Sequence, residues 1–404
     1  MSPAVVVTTL VLLLGIQPVT TDLYLPALPL LAGELRTSVA AAQSTLSALI
    51  ICFGIAQLAC GPLADRFGRR PVLLVGLALY TLASLWAALA PSIEWLIAAR
   101  AAQGAAMAAA VTCGRSIVRD LYAPIQGARV MSRALGGLGA IAFVSPLLGG
   151  AIVQGSNWHA ALMVLAGFGA AALGFIALRF VETVPQRNHD ATRITPLLRN
   201  WRLIVHDPTF RAFTMLLSMT YAGVYLLLAA SSFVYIEVLG LSRFVCGAIL
   251  ASNSLFYVAG TVLCRRLLSR RGLRAAVAVG GALSLAGGLI TALLSLVGAH
   301  EFGAWSLIVP CWLYMLGHGI HQPCGQAGAV GPFPDKAGTA ASLSGFFMMA
   351  VAFGVGLWLG RGLNATVYPL TLGLGLFGTC VAAIAWTAVQ RHGEPHAAIA
   401  LQPV

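Results

Sequence analysis

Apolar residues run along this chain in long stretches separated by short polar segments. Twelve of these stretches are close to the roughly 20 residues that an α-helix needs to cross a bilayer. The predicted spans are 4–31, 42–61, 72–90, 93–117, 128–154, 158–181, 211–237, 243–266, 275–298, 303–329, 338–361 and 365–389. The pattern therefore predicts an all-α polytopic membrane protein.

One long polar stretch, residues 182–210, separates the sixth span from the seventh. It predicts an N-terminal six-helix bundle over residues 1–181 and a cytoplasmic central loop over 182–210. Residues 211–404 would then form a C-terminal six-helix bundle with a short cytoplasmic tail.

The central loop contains an amphipathic segment. Thr195-Pro196 can cap and start a short helix. Leu197, Trp201 and Ile204 would share one face of it, which favours a helix lying on the inner leaflet. A plain linker is the alternative.

The distribution of charge supports a membrane location and predicts an orientation. Only 9% of the 404 residues are charged, whereas a soluble domain has about 25%. All but four of the 24 Lys and Arg residues fall on one side of the predicted membrane; the exceptions are Arg36, Arg100, Arg243 and Arg361. This positive-inside bias predicts that both termini are cytoplasmic, and it explains the net charge of +12 without a nucleic-acid partner.

The acids and tryptophans predict which loops lie on the outer, non-cytoplasmic side of the membrane. Its loops hold Glu34, Glu94, Glu237 and Glu301. An aromatic belt is expected near the outer ends of the spans, where Trp95, Trp158, Trp305 and Trp358 fall.

No cleavable signal peptide is evident, because no basic segment precedes the first apolar run. The eight cysteines lie in or beside spans, without a Cys-x-x-Cys, and read as small buried side chains.

The loop after the second span carries the most distinctive motif, Gly61-Pro-Leu-Ala-Asp65-Arg66-Phe-Gly68-Arg69-Arg-Pro. The glycines permit close approach or a positive φ angle. The pattern resembles the signature loop of major facilitator superfamily (MFS) transporters. The resemblance implies twelve transmembrane helices in two six-helix bundles, around a cavity that opens alternately to each side. A degenerate copy, Gly260-x-x-x-Cys264-Arg265, follows the eighth span and fits the two-half plan.

A second charged pair, Arg119-Asp120, ends the fourth span on the predicted inner face. With Asp65 and Arg66 it is expected to form an interhelical charge cluster that braces the outward-facing state. Solvated surface charges are the alternative. The predicted conformational latch comprises Gly61, Asp65, Arg66, Gly68, Arg69, Arg119 and Asp120.

Charges deep inside spans are costly, about 2.5–3.5 kcal/mol each even on insertion scales, and few occur here: Asp22, Arg100 and, nearer an inner end, Arg115. The run from Asp22 to Pro29 resembles the D-x-Y-L-P-x-x-P stretch of the Bcr/CflA drug-efflux group within the MFS. The resemblance implies that Asp22 binds a proton or a cationic substrate. A cap of a broken helix, or a place at the outer interface, is the alternative.

Arg100 begins Arg-Ala-Ala-Gln103-Gly, which is similar to the R-x-x-Q-G element of proton-coupled drug antiporters. A buried guanidinium that moves toward or away from an acid changes its proton affinity, so Arg100 is expected to couple protonation to helix movement. A structural charge bonded to backbone carbonyls is the alternative.

The fifth span contains Ser145-Pro146-Leu-Leu-Gly149-Gly150. It resembles an antiporter motif ending G-P-x-x-G, with Ser145 and Ile141 standing where glycines would fall. Pro146, Gly149 and Gly150 still allow helices to approach closely.

Further polar side chains are candidates for the cavity wall: Tyr24, Gln103, Tyr221, Tyr225, Asn253, His318, His321 and Gln322. A structural hydrogen-bonding role is the alternative for the residues of the second half. His318 and His321 share a helix face, but the sequence places too few further ligands nearby for a metal site.

The sequence thus predicts no enzyme, cofactor or metal. The resemblance implies a proton-coupled secondary transporter in a bacterial inner membrane, acting as a monomer and exporting drug-like amphipathic compounds. An MFS transporter of a specific metabolite, such as a nucleoside, sugar or amino acid, in either direction, is the alternative, because fold does not fix substrate.

Overall fold

The computed structural model describes residues 1–122, 124–184, 187–189, 191–298, 303–362 and 366–393. Glu301 and the end of the predicted tail lie outside these residues. The α-helices are α1 Pro3–Asp22, α2 Leu28–Glu34, α3 Val39–Phe67, α4 Arg69–Ala88, α5 Ile93–Leu121, α6 Pro124–Gly155, α7 Trp158–Arg179, α8 Ile194–His206, α9 Pro208–Ser232, α10 Arg243–Leu296, α11 Trp305–Val330, α12 Ala337–Gly362, α13 Tyr368–Trp386 and α14 Ala388–His392. Two 3₁₀ turns (Leu25–Ala27, Pro334–Lys336) and a π-helix (Phe233–Val238) complete the described elements.

The helices account for twelve membrane crossings. Within the described part of the chain, 10 helical segments are long and apolar enough to span a bilayer. One of them, α10, has 54 residues and a non-helical backbone at Gly272 (φ 78°), so it supplies two crossings. The 26-residue α11 supplies the remaining one. The predicted all-α fold of twelve transmembrane helices in two six-helix bundles is confirmed.

The first span is broken where its prolines predict. Helix α1 ends at Asp22, a 3₁₀ turn covers Leu25–Ala27, and α2 continues to Glu34. Pro26 and Pro29 lack the amide hydrogen that a continuous helix would use, so this segment leaves backbone groups unpaired within the helix. The break places Asp22 at a helix end inside the protein.

The most extensive contacts between the two bundles are those of α3 with α12 and of α6 with α10. Small residues make the contact close. A Cβ atom at Gly54 would lie 2.6 Å from the Met349 Cβ, and one at Gly247 would lie 2.3 Å from the Pro146 carbonyl oxygen. We call the side that carries Asp65, Arg69 and the Arg265–Arg274 segment the basic face.

Three local predictions need correction. The segment between the eighth and ninth spans is helical apart from Gly272, because basic side chains are good helix formers and only the glycine adopts positive φ. Helix α8 begins at Ile194 with Arg193 as its N-cap, so Thr195 does not cap it. Trp158 is buried and donates to the Glu34 carboxylate at 2.8 Å, so it does not belong to an exposed aromatic belt.

The amphipathic face of α8 and the cysteines follow the sequence. Ile204 is fully buried, and Trp201 packs against a cluster that includes Ile204, Phe210 and Phe213. Leu197 is partly buried, while Leu198 is exposed. All eight cysteines are free, and six are buried. The sulfur atoms of Cys264 and Cys324 approach to 3.4 Å between α10 and α11.

Candidate functional site

Asp22 is the last residue of α1 and lies partly accessible inside the bundle. Its carboxylate accepts a hydrogen bond from the Thr21 hydroxyl at 2.7 Å. Within the described residues, no cation pairs with it. The Leu25–Ala27 turn, which begins three residues after Asp22, contacts α9 and α10 of the second bundle.

Arg100 is completely buried on α5 and is held by several partners. Its guanidinium donates to the Gln103 side chain at 2.5 Å and to the Thr20 backbone carbonyl at 3.1 Å. It also lies 4.4 Å from the ring centroid of Tyr24, in a cation–π contact. Arg100 thus bonds to α1 only two residues before Asp22, without contacting the acid itself.

The surrounding hydroxyls extend this network. The Gln103 amide donates to Ser84, and Thr20 shares a 2.6 Å hydrogen bond with Tyr80. The Tyr24 hydroxyl bonds to Thr45 at 2.9 Å. Tyr24 and Gln103 are fully buried, so in this conformation they support Arg100 and do not line an accessible cavity.

The motif of α6 lies against both α1 and the second bundle. A Cβ atom at Gly149 would lie 2.1 Å from the Leu23 carbonyl oxygen, and one at Gly150 would lie 2.6 Å from the Arg243 carbonyl oxygen. The Ser145 hydroxyl, which replaces a motif glycine, donates to the Ile141 carbonyl within the helix at 2.7 Å. Close backbone contact therefore joins α6 to the residue that follows Asp22.

The latch residues cluster around Arg69, the first residue of α4. Its guanidinium contacts Asp65 at 2.7 Å and Asp120 at 3.0 Å, which ties α3, α4 and α5 together. Gly68 has φ 102° between α3 and α4, a conformation that favours glycine. A Cβ atom at Gly61 would lie 3.7 Å from the Ser342 hydroxyl oxygen and 3.9 Å from the Thr112 methyl carbon, which are ordinary van der Waals distances.

Glu182 completes the cluster, and no motif in the sequence marks it. Its carboxylate accepts hydrogen bonds from the backbone amides of Arg69 and Arg70 at 2.9 and 3.1 Å. Burial raises the pKa of Glu182, but hydrogen bonds from backbone amides outweigh burial and hold the pKa below its usual value. The chain just after α7 is thereby fixed to the start of α4.

Within the described residues, the ion pairs of the latch all lie in the first bundle. Arg66 donates to Thr192 of the central connection, and Asp65 accepts a backbone hydrogen bond from Asn188 at 3.0 Å. Arg119 approaches the other bundle, 3.6 Å from the position that a Gly338 Cβ would occupy. The bracing of one conformation by this cluster stays a prediction.

The candidates of the second bundle separate into two groups. Tyr225 is buried and shares a hydrogen bond of 3.2 Å with Ser47 of α3, across the bundle interface. Tyr221 and Gln322 are partly accessible. Asn253 is 2% exposed, and neither side-chain polar atom has a partner among the described residues. Tyr225 therefore belongs to a hydrogen bond between the bundles, whereas the partly accessible Tyr221 and Gln322 fit a polar cavity wall. A cavity-lining role for Asn253 stays a prediction.

The two histidines do not act together. The His318 ring contacts the Thr220 hydroxyl at 3.3 Å and lies 5.4 Å from the Tyr257 ring. His321 is fully buried and its Nε2 lies 3.2 Å from the Val277 carbonyl of α10. His321 therefore joins two helices of one bundle and does not line the cavity.

Two helical bundles around a broken first helix, with a partly accessible acid at the break, are typical of a multi-pass membrane transporter. A model described as the Major Facilitator Superfamily matches residues 10–357, and the chain belongs to this superfamily. It carries a small-molecule substrate across a membrane and is not an enzyme.

Several relatives are named for drug resistance. The chain is 32% identical over 338 residues to multidrug resistance protein D of Escherichia coli, covering 83% of each chain. It is 28% identical to a bicyclomycin resistance protein homolog of Haemophilus influenzae, covering 94% of each. It is 27% identical to a chloramphenicol resistance protein of Pseudomonas aeruginosa, covering 94% of this chain and 90% of the relative.

Solved structures support the fold. A D-xylose–proton symporter aligns with a TM-score of 0.74 at 14% identity, covering 95% of this chain and 96% of the symporter. The human organic anion transporter MFSD10 aligns with a TM-score of 0.69 at 18% identity, covering 96% of this chain and all of the other. At these identities the likeness extends to the fold alone.

Proposed function

We propose that the protein exports drug-like amphipathic compounds from a bacterial cytoplasm in exchange for protons, by alternating access. In this proposal it acts as a monomer in the inner membrane, with both termini cytoplasmic. The names of its relatives support a drug substrate. The observation that carries the proposal is the position of Asp22, an acid without a cationic partner among the described residues at the end of a broken helix.

Asp22 binds a proton or the cationic group of a substrate, and it does not hold both at once. Neutralising this partly accessible acid removes the cost of its charge inside the membrane, so each exchange alters the free energy of the surrounding helices. Arg100 transmits the change, because it holds the Thr20 carbonyl at the same helix end. Helix α6 moves together with this helix end, because Gly149 packs directly against the Leu23 carbonyl.

The proposal is tested by expression in a bacterium that lacks its major drug pumps. We expect the protein to raise the tolerated concentration of some compounds in a panel of antibiotics and lipophilic dyes. Asp22→Asn should remove this gain at equal protein level, whereas Asp335→Asn, in an exposed turn, should keep it. Unchanged tolerance to every compound, together with accumulation of a metabolite in the cells, would favour the metabolite transporter instead.

A further inference from the structure

A cavity of about 120 Å³ lies between the two bundles, on the side of the basic face. Its polar lining includes Arg115 of α5, Gln326 of α11 and Ser344 of α12. Leu217 and Met348 contribute to its apolar wall. A ligand in this cavity would therefore touch both bundles.

Arg115 lacks the partners that an arginine inside a span normally has. Within the described residues it makes no hydrogen bond and no ion pair, although its side chain is only partly accessible. Arg100, on the same helix, is bonded to Gln103 and Thr20. A charge inside a span is costly, so an unpaired one at a cavity wall points to a ligand.

Two neighbouring polar groups are also unpaired. Ser344 is 5% exposed and its hydroxyl has no partner among the described residues. Gln57 of α3 is 2% exposed, and its amide nitrogen likewise has none. The Gln57 side chain reaches the cavity lining at Gly345, where an added Cβ would lie 2.8 Å from its Oε1. Buried polar groups are nearly always hydrogen-bonded, so this set is incomplete without a ligand.

The available groups are mainly donors. A guanidinium offers five N–H groups and no acceptor, and its fork matches the two oxygens of a carboxylate. The cavity volume of about 120 Å³ is smaller than the roughly 300–1,000 Å³ of a site for a drug-sized ligand. It has room for a carboxylate or similar oxyanion with a few attached carbons, but not for a whole drug molecule.

We infer that Arg115, Gln326 and Ser344 form a subsite that binds the carboxylate, or a comparable oxyanion, of an amphipathic substrate. This inference rests on the proposed function, because it assigns one end of the exported compound. The apolar side chains of Leu217 and Met348 contact the hydrocarbon next to the anionic group.

The subsite is separate from Asp22. Gly114, beside Arg115, lies next to Leu13 and Leu14 of α1, at 3.4 and 3.3 Å from an added Cβ. Asp22 follows Leu14 by eight residues, which is about 12 Å along a helix. The two charges therefore do not neutralise each other.

A binding measurement on the purified full-length protein in lipid nanodiscs tests the inference. The probes are the fluorescent acid dansylaminooctanoic acid and its methyl ester, which differ only in the anionic group. We expect the wild type to bind the acid more tightly than the ester. Arg115→Gln should weaken binding of the acid by about tenfold or more and leave the ester nearly unchanged.

Companion variants separate a binding role from a folding role. Arg115→Lys should retain part of the preference for the acid, because it keeps the charge and loses the fork. Ser344→Ala should lower affinity for the acid by a few-fold. Arg211→Gln removes an exposed arginine of α9 and should behave as the wild type. Unchanged melting of each variant confirms that it is folded.

The outcomes distinguish the subsite from the proposed function. Equal binding of acid and ester by the wild type, or an unchanged preference in Arg115→Gln, would overturn the subsite and leave drug export open to its own test. A preference that depends on Arg115, in a protein that confers no drug tolerance, would uphold the subsite and reject drug export.

Discussion

The Arg100 guanidinium donates a hydrogen bond to the backbone carbonyl of Thr20 at 3.1 Å, two residues before Asp22. The predicted coupling pair is therefore joined through the backbone of α1 and not through a direct ion pair. The bond to a backbone carbonyl is what the structural alternative expects. The coupling role of Arg100 stays a prediction, and the position of this carbonyl at the helix end that carries Asp22 provides a route for it.

Replacing Arg100 with lysine should abolish most transport. Lysine keeps the charge but lacks the planar fork that serves Gln103 and Thr20 together. We expect at least about a tenfold loss of drug export and a loss of stability of about 1–3 kcal/mol from the unpaired buried groups. Drug uptake into inverted vesicles and thermal melting would measure the two effects. Arg211→Lys, at an exposed position, is the matched control; equal behaviour of the two variants would contradict the assigned role of Arg100.

Asp22→Asn should uncouple drug movement from the proton gradient. An amide cannot release a proton, so drug added to energised inverted vesicles should no longer release protons from the lumen. We expect the drug-induced recovery of a trapped pH-sensitive dye to disappear, while Asp335→Asn retains it. A full recovery in Asp22→Asn vesicles would remove Asp22 from the mechanism.

Gly149→Ala should impair the protein much more than Gly136→Ala. The new methyl group at Gly149 would lie 2.1 Å from the Leu23 carbonyl oxygen, whereas an added Cβ at Gly136 meets nothing within 4 Å. We expect the first variant to lose about 1–3 kcal/mol of stability through overpacking. The second should be neutral or slightly more stable, because alanine favours a helix. Melting in detergent and export assays compare them, and equal melting would contradict the close contact.

Glu182→Gln should destabilise the basic face in a pH-dependent way. The folded-state pKa of Glu182 is lowered, so its contribution is present above the unfolded pKa of about 4.3 and is lost as pH falls through the folded value. At neutral pH we expect the free energy of unfolding of the wild type to exceed that of the variant by about 1–2 kcal/mol, because the carboxylate caps the start of α4. The wild type should therefore melt at a higher temperature. The difference should shrink in acid. A gap that is constant from neutral pH to about pH 3, below the usual glutamate pKa, would reject the ionic role.

The fold could be predicted from the sequence because a membrane-spanning helix requires a long run of apolar residues. Backbone groups cannot remain unpaired in lipid, so each apolar stretch must be a helix, and the spans could be counted directly. The break after Asp22 was readable for a similar reason, because Pro26 and Pro29 cannot continue a helix hydrogen-bond ladder. The superfamily was readable from the loop between Gly61 and Arg69, whose local pattern does not depend on distant contacts.

What the sequence by itself determined, then, was the class of fold, the superfamily and the short set of charges placed inside the membrane. Only the tertiary structure decided which groups those charges meet. No local sequence pattern predicts that Glu182 caps α4 or that His321 bonds within its own bundle. The same holds for Arg115, which lies unpaired between the two bundles. Such contacts join residues more than 40 positions apart, and they depend on how the helices are rotated and how closely their glycines let them approach.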